Sequence, residues 1–250
     1  MMEMAQALLW GAVAGGANLL GALIVMAFNL PQKLIGYIMA LGTGALIGAV
    51  AFELLDEAME ISGLTQIALG FLGGALIFTI LDILVTRKGG MHRKRSGHGS
   101  DAPSSSEAGA GMAIFIGTIM DAIPETAMIG LGIAQGGGVG FALVAAVFIS
   151  NLPEGISSTT GLQKGGYHKK KVLWMWVFVL IASALSSLAG YTFLENATED
   201  VQAILSAFAA GGIIAMVAST MMPEAHEKGG PIAGFITAAG IFITLLLQQI

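Results

Sequence analysis

The sequence predicts an all-α integral membrane protein with eight transmembrane helices. Three observations carry that reading. Of its 250 residues, 55% are apolar and only 11% are charged, against roughly 25% charged in ordinary soluble domains. Apolar stretches of about 20 residues, long enough to cross a hydrocarbon core of about 30 Å, recur along the whole chain. The 11 Lys and Arg residues fall only into alternate connections between these stretches. The same composition excludes a nucleic-acid-binding module and a disordered chain, and the lack of Cys excludes a disulfide scaffold. A net charge of −5 is too modest to point to a basic or acidic partner.

Met1-Met2-Glu3-Met4 lacks the basic segment of a signal peptide, so the first stretch, near 5–28, is expected to stay as a span. The others lie near 34–55, 64–86, 111–133, 138–161, 172–194, 201–223 and 231–250. Residues 1–86 thus hold spans 1–3, residues 111–161 spans 4 and 5, and residues 162–250 spans 6–8. Residues 87–110 are polar, rich in Ser and Gly, and carry Arg87, Lys88, His92, Arg93, Lys94, Arg95 and His98, the composition of a flexible loop. Small residues recur at four-residue spacing in Gly11/Gly15, Gly44/Gly48 and Gly70/Gly74, which lets helices approach closely in lipid.

The remaining cations are Lys33 between spans 1 and 2, Lys164, Lys169, Lys170 and Lys171 between spans 5 and 6, and Lys228 between spans 7 and 8. Cytoplasmic loops carry the excess of Lys and Arg, so these connections and the 3–4 loop are placed inside. Both termini are then outside, together with Glu3, Asp56, Glu57, Glu60, Glu195, Glu199 and Asp200. The expected location is the cell membrane, as a multi-pass protein.

The informative residues are acids within the spans. Asp121 and Glu125 lie mid-span in the fourth stretch, and Glu154 lies in the inner half of the fifth. No span carries a Lys or Arg beside them, and a charge at the bilayer centre costs about 2.5–3.5 kcal/mol on insertion scales. The counter-charge is expected to arrive from outside, as a cation or as protons. Asp121 and Glu125, four apart, share a helix face; Ser150 and Asn151 project their oxygens on the face of Glu154. Both segments end alike, in Asp121-Ala122-Ile123-Pro124-Glu125 and Ser150-Asn151-Leu152-Pro153-Glu154. Each Pro withholds a hydrogen bond from the carbonyl four residues back, at Met120 and Ile149, which adds backbone oxygen beside the acids.

With these motifs in hand, the chain resembles the ZIP (ZRT/IRT-like) family of divalent-metal transporters over essentially its whole length. That family's fourth span reads His-Asn-x-Pro-Glu-Gly and its fifth His-x-x-Pro-Glu-Gly. Pro124-Glu125 and Pro153-Glu154-Gly155 match. The fourth-span positions for His, Asn and Gly hold Asp121, Ala122 and Thr126, and the fifth-span His position holds Ser150. The resemblance implies a transport site, mononuclear or binuclear, built by Asp121, Glu125, Ser150, Asn151 and Glu154. Losing both imidazoles shifts such a site toward harder ions, because carboxylate and amide oxygens suit manganese better than His does. Zinc still accepts carboxylate oxygen, and iron(II) and cadmium stay within range. The resemblance also implies a 3+2+3 inverted-repeat arrangement. Span 2 ending Asp56-Glu57-Ala58-Met59 and span 7 ending Pro223-Glu224-Ala225-His226 agree with it.

Glu53, Asp56, Glu57 and Glu60 form an acidic stripe at the outer end of span 2, expected as the cation entrance. At the inner end of span 7, Glu224, His226 and Glu227 are expected as the exit toward the cytoplasm, a role the family resemblance implies. His92 and His98 read as part of a solvated loop, and Asp82 as a snorkelling ion-pair partner of Arg87. Asn18 and Asn29 read as interhelical hydrogen-bond partners, and Met120 and Met128 as packing.

The expected function is alternating-access transport of divalent metal ions (zinc, with iron(II), manganese and cadmium as further cargo) into the cytoplasm. The alternative is a passive divalent-cation channel. An intramembrane enzyme is disfavoured by the lack of Cys and of mid-span His, and no resident cofactor is expected. Partners are the metal ions and the lipid bilayer, with a homodimer left open and no nucleic acid.

Overall fold

Helix is the only regular structure among the described residues, which are 2–85, 105–135 and 140–249 of this computed structural model. The elements are α1 (Met2–Ala27), α2 (Gln32–Ala49), α3 (Leu55–Ile61), α4 (Leu64–Val85), α5 (Ser105–Ala134), α6 (Phe141–Lys164), α7 (Lys169–Leu194), α8 (Glu199–Met216), α9 (Met222–Gly229) and α10 (Ile232–Leu247). Seven segments are long and apolar enough to cross a membrane: Met2–Ala27, Gln32–Ile61, Leu64–Leu84, Phe115–Ala134, Phe141–Lys164, Lys169–Leu194 and Glu199–Gly229. The chain is thus an all-α protein with the helices of a multi-pass membrane protein.

The eighth expected span is shorter than the sequence suggests. Gly230 takes a left-handed φ of 70°, which suits glycine, and Pro231 follows it, so α10 starts at Ile232 and holds only 16 residues. At 1.5 Å per residue it reaches about 24 Å. Helix α5 begins at Ser105, ahead of the expected 111. Arg87, Lys88, His92, Arg93, Lys94, Arg95 and His98 lie outside the described residues.

Two of the long segments are not continuous α-helix. In each, an 18-residue α-helix passes into a five-residue π-helical turn, Val50–Leu54 or Val217–Met221, and then into a short helix, α3 or α9. Aligning the π-turns sets Gly44 against Gly211, Glu57 against Glu224, Ala58 against Ala225 and Glu60 against Glu227. Their neighbours correspond as well: Gly44 packs on Thr237 of α10, and Gly211 on Phe71 of α4. π-turns of this kind gather at functional sites.

Close packing accounts for many of the glycines among the described residues. Gly11 and Gly15 lie on Ser187 and Ser183 of α7, Gly44 and Gly48 on Thr237 and Thr244 of α10, and Gly70 and Gly74 on Ile204 and Phe208 of α8. All three expected small-residue pairs are therefore helix contacts. The outward faces are apolar, with Leu69, Leu72 and Leu76 of α4 and Trp174, Phe178 and Leu185 of α7 all exposed, as lipid requires.

A Cβ on Gly74 would run into the backbone of Phe208, whereas one on Gly132 of α5 would meet nothing. Gly74→Val is therefore expected to cost about 1–3 kcal/mol or more through overpacking. Gly132→Ala should hold or raise stability by up to about 1 kcal/mol. Thermal melts of the detergent-solubilised variants check both.

Candidate functional site

Helix α5 carries Asp121 and Glu125 one turn apart, with Pro124 between them. Both carboxylates are buried, 3% and 2% exposed. They line one cavity between α4, α5 and α8, together with Met120, Phe78, Phe208 and Met216. The backbone around the Pro124 interruption is held by hydroxyls: Thr126 Oγ1 donates to Ala122 O at 2.7 Å, and Ser186 Oγ of α7 donates to Ile123 O at 2.7 Å. Such side-chain donors let a Pro sit within a membrane helix.

On α6, Ser150, Asn151 and Glu154 are equally buried, at 1%, 0% and 2%. Pro153 repeats the interruption, yet the surroundings differ. Ser150 Oγ donates to Val147 O at 2.9 Å, and its Cα, with Ile149 O, lies against Gly42 of α2. Asn151 Nδ2 donates to Ala14 O of α1 at 3.2 Å. The five expected ligands thus lie buried on two packed helices, but they are not drawn into one compact centre. Asp121 and Glu125 address α4 and α8, while Ser150 and Asn151 address α2 and α1. Among the described residues, no three His, Asp or Glu side chains are gathered closely enough to hold a metal ion. Successive residues of α6 meet different neighbours: Ser150 lies against α2 and Asn151 bonds α1.

On α9, the expected exit residues separate. Glu224 is buried at 4%, and its Oε1 accepts from Lys228 Nζ at 2.6 Å and from Ser157 Oγ of α6 at 2.7 Å. Lys228 also donates to Ser157 Oγ at 3.2 Å. His226 and Glu227 are exposed on the other side of α9. Lys228, one turn on, thus folds back over Glu224 and engages its Oε1, while Glu224 Oε2 is buried without a hydrogen-bond partner. The expected entrance divides too. Asp56, Glu57 and Glu60 are exposed, whereas half-buried Glu53 accepts from the backbone N–H of Leu143 in the first turn of α6. A carboxylate there offsets an orphan helical donor and the helix dipole. Gly140 leaves room for it, since a Cβ would collide with Glu53 Oε1.

Two features escaped the sequence reading. Ser157, Ser158 and Thr159 each serve a different neighbour: Ser157 bonds Glu224, Ser158 shares a 3.1 Å bond with Thr118 of α5, and Thr159 accepts from Trp176 Nε1 of α7 at 2.8 Å. Four hydroxyl residues in a row within an apolar span were the available signal. Asn18, expected as a hydrogen-bond partner, is fully buried and neither of its amide atoms has one. Asn29 is exposed. Met128 packs in the core as expected, and Met120 lines the cavity. The Arg87 partner expected for Asp82 lies outside the described residues. Compared with family models and with curated proteins, the chain matches none.

Removing one partner of a buried ion pair costs about 3–5 kcal/mol, while replacing both with neutral groups is far milder. Lys228→Met is therefore expected to lower the melting temperature strongly, and Lys228→Met with Glu224→Gln to recover most of the loss. Thermal melts of the three proteins check this.

Proposed function

We propose that this protein carries divalent metal ions across a membrane by alternating access, with Asp121 and Glu125 as the principal ligands and Glu154 adding a carboxylate from α6. One observation carries the reading. Two acids one turn apart are buried at mid-span depth and line a shared cavity beside a proline interruption. Ionisable groups are costly in a bilayer and are retained where they serve an ion pathway. Their oxygens suit hard and borderline divalent ions, so manganese, iron(II) and zinc are the expected cargo.

The matching helix–π-turn–helix units support an inverted repeat around α5 and α6, with the site at the interface. On that reading α10 is an eighth, short crossing that the bilayer accommodates by thinning, both termini face outward, and the Lys-bearing connections face the cytoplasm. The resemblance of Pro124-Glu125 and Pro153-Glu154-Gly155 to ZIP transporters points the same way.

The test is uptake of Mn2+ and Zn2+ by proteoliposomes, with and without a pH gradient. Saturable uptake is expected, reduced at least tenfold by Glu125→Gln while the variant stays folded and monodisperse. Absence of uptake, or non-saturating ohmic currents, would contradict the transporter reading.

A further inference from the structure

The buried face of α1 consists of Ala7, Gly11, Ala14, Gly15, Ala17, Gly21, Ala22 and one polar side chain, Asn18. Every other residue there is as small as possible, so that α1 can lie directly on α6 and α7. The Asn18 backbone touches Gly155, and Gly21 touches Leu152 and Ile156. One turn ahead of Asn18, Ala14 O receives the Asn151 amide. Helical side chains lean toward their own N-terminus, which carries the Asn18 amide back toward the level of Asn151. Asn18 Nδ2 and Oδ1 and Asn151 Oδ1 are all buried, and none of the three has a hydrogen-bond partner. Buried amides are nearly always satisfied, so two unmet amide oxygens beside the Glu154 turn point to a ligand that accepts oxygen donors.

Resting on the transport reading, we propose that Asn18 is a metal ligand, whose amide oxygen joins Asn151 Oδ1 and the Glu154 carboxylate to hold a divalent cation at the α1–α6 contact. Such a set is all oxygen and carries a single carboxylate charge. It favours manganese over zinc, which prefers nitrogen and sulfur donors. Asn151 Nδ2, already engaged with Ala14, fixes its oxygen toward the site.

The test is Mn2+ binding to the purified full chain, read by electron paramagnetic resonance, with metal-free thermal melts alongside. Asn18→Leu keeps the size of the side chain and removes both amide atoms. It is expected to weaken Mn2+ binding at least tenfold while the metal-free melting temperature is unchanged or raised. Asn18→Asp replaces one oxygen donor by another and is expected to bind at least as tightly as the wild type. Wild-type affinity in Asn18→Leu, or loss of binding in Asn18→Asp, would overturn the proposal. If Asn18→Leu fails to fold, the Asn18→Asp result decides it. A lower melting temperature with unaltered Mn2+ affinity would make Asn18 a packing residue only. The two readings separate: a wild type that binds Mn2+ without moving it across vesicles removes transport and leaves this site. Transport with Mn2+ affinity undiminished in Asn18→Leu removes this site alone. A wild type that binds no Mn2+ removes both.

Discussion

Lipid offers a buried polar group nothing to bond with, and that constraint governs this structure more than any other. Each polar side chain within the helices has to find its partner inside the protein. The hydroxyls of α6 show the rule in its simplest form. Ser157, Ser158 and Thr159 reach α9, α5 and α7 in turn, so one turn of helix ties three neighbours together. Glu224 and Lys228 show it for charge, closed by Ser157 into a small network. Asn18 departs from the rule at both amide atoms, and Asn151 Oδ1, Ser183 Oγ, Ser187 Oγ and Glu224 Oε2 are buried without partners as well.

Glycine makes that enclosure close. Without Cβ atoms, α1 lies on α6 and α7, α2 on α10, and α4 on α8, at separations where backbone meets backbone. Hydrophobic burial does little between helices already in an apolar solvent, so van der Waals fit and interhelical hydrogen bonds hold them. The same closeness shapes the candidate site. α2 presses Gly42 against the Ser150 turn of α6, while α4 and α8 leave a cavity beside Asp121 and Glu125. Two near-copies of one Pro-Glu motif therefore sit in unlike surroundings, one packed and one open.

Much of the architecture was legible in composition and spacing. Apolar runs placed the long helices, and the glycine pairs named real contacts. What could not be read was rotation and pitch. Asp121 and Glu125 share a face because they are one turn apart, and this follows from the sequence. Which neighbour Ser150 or Asn151 addresses depends on the packing of α1 and α2, and no local pattern states it. The π-turns at Val50–Leu54 and Val217–Met221 carry no Pro or other marker. Charge counting makes Lys228 a loop cation, because it ignores that a residue four on can fold back on Glu224. Asn18 has the sequence signature of an ordinary interhelical amide; its two unpartnered amide atoms become visible only once the helices are assembled.

The central claim is that buried carboxylates on α5 and α6 receive a divalent cation. Crystals grown with Mn2+ and measured for anomalous scattering test it most directly, because the signal locates the ion without reference to transport. The account predicts a peak within the helices, bounded by oxygens of Asp121, Glu125 or Glu154. A peak confined to the exposed acids of α3 and α9, or none at saturating Mn2+, would contradict it.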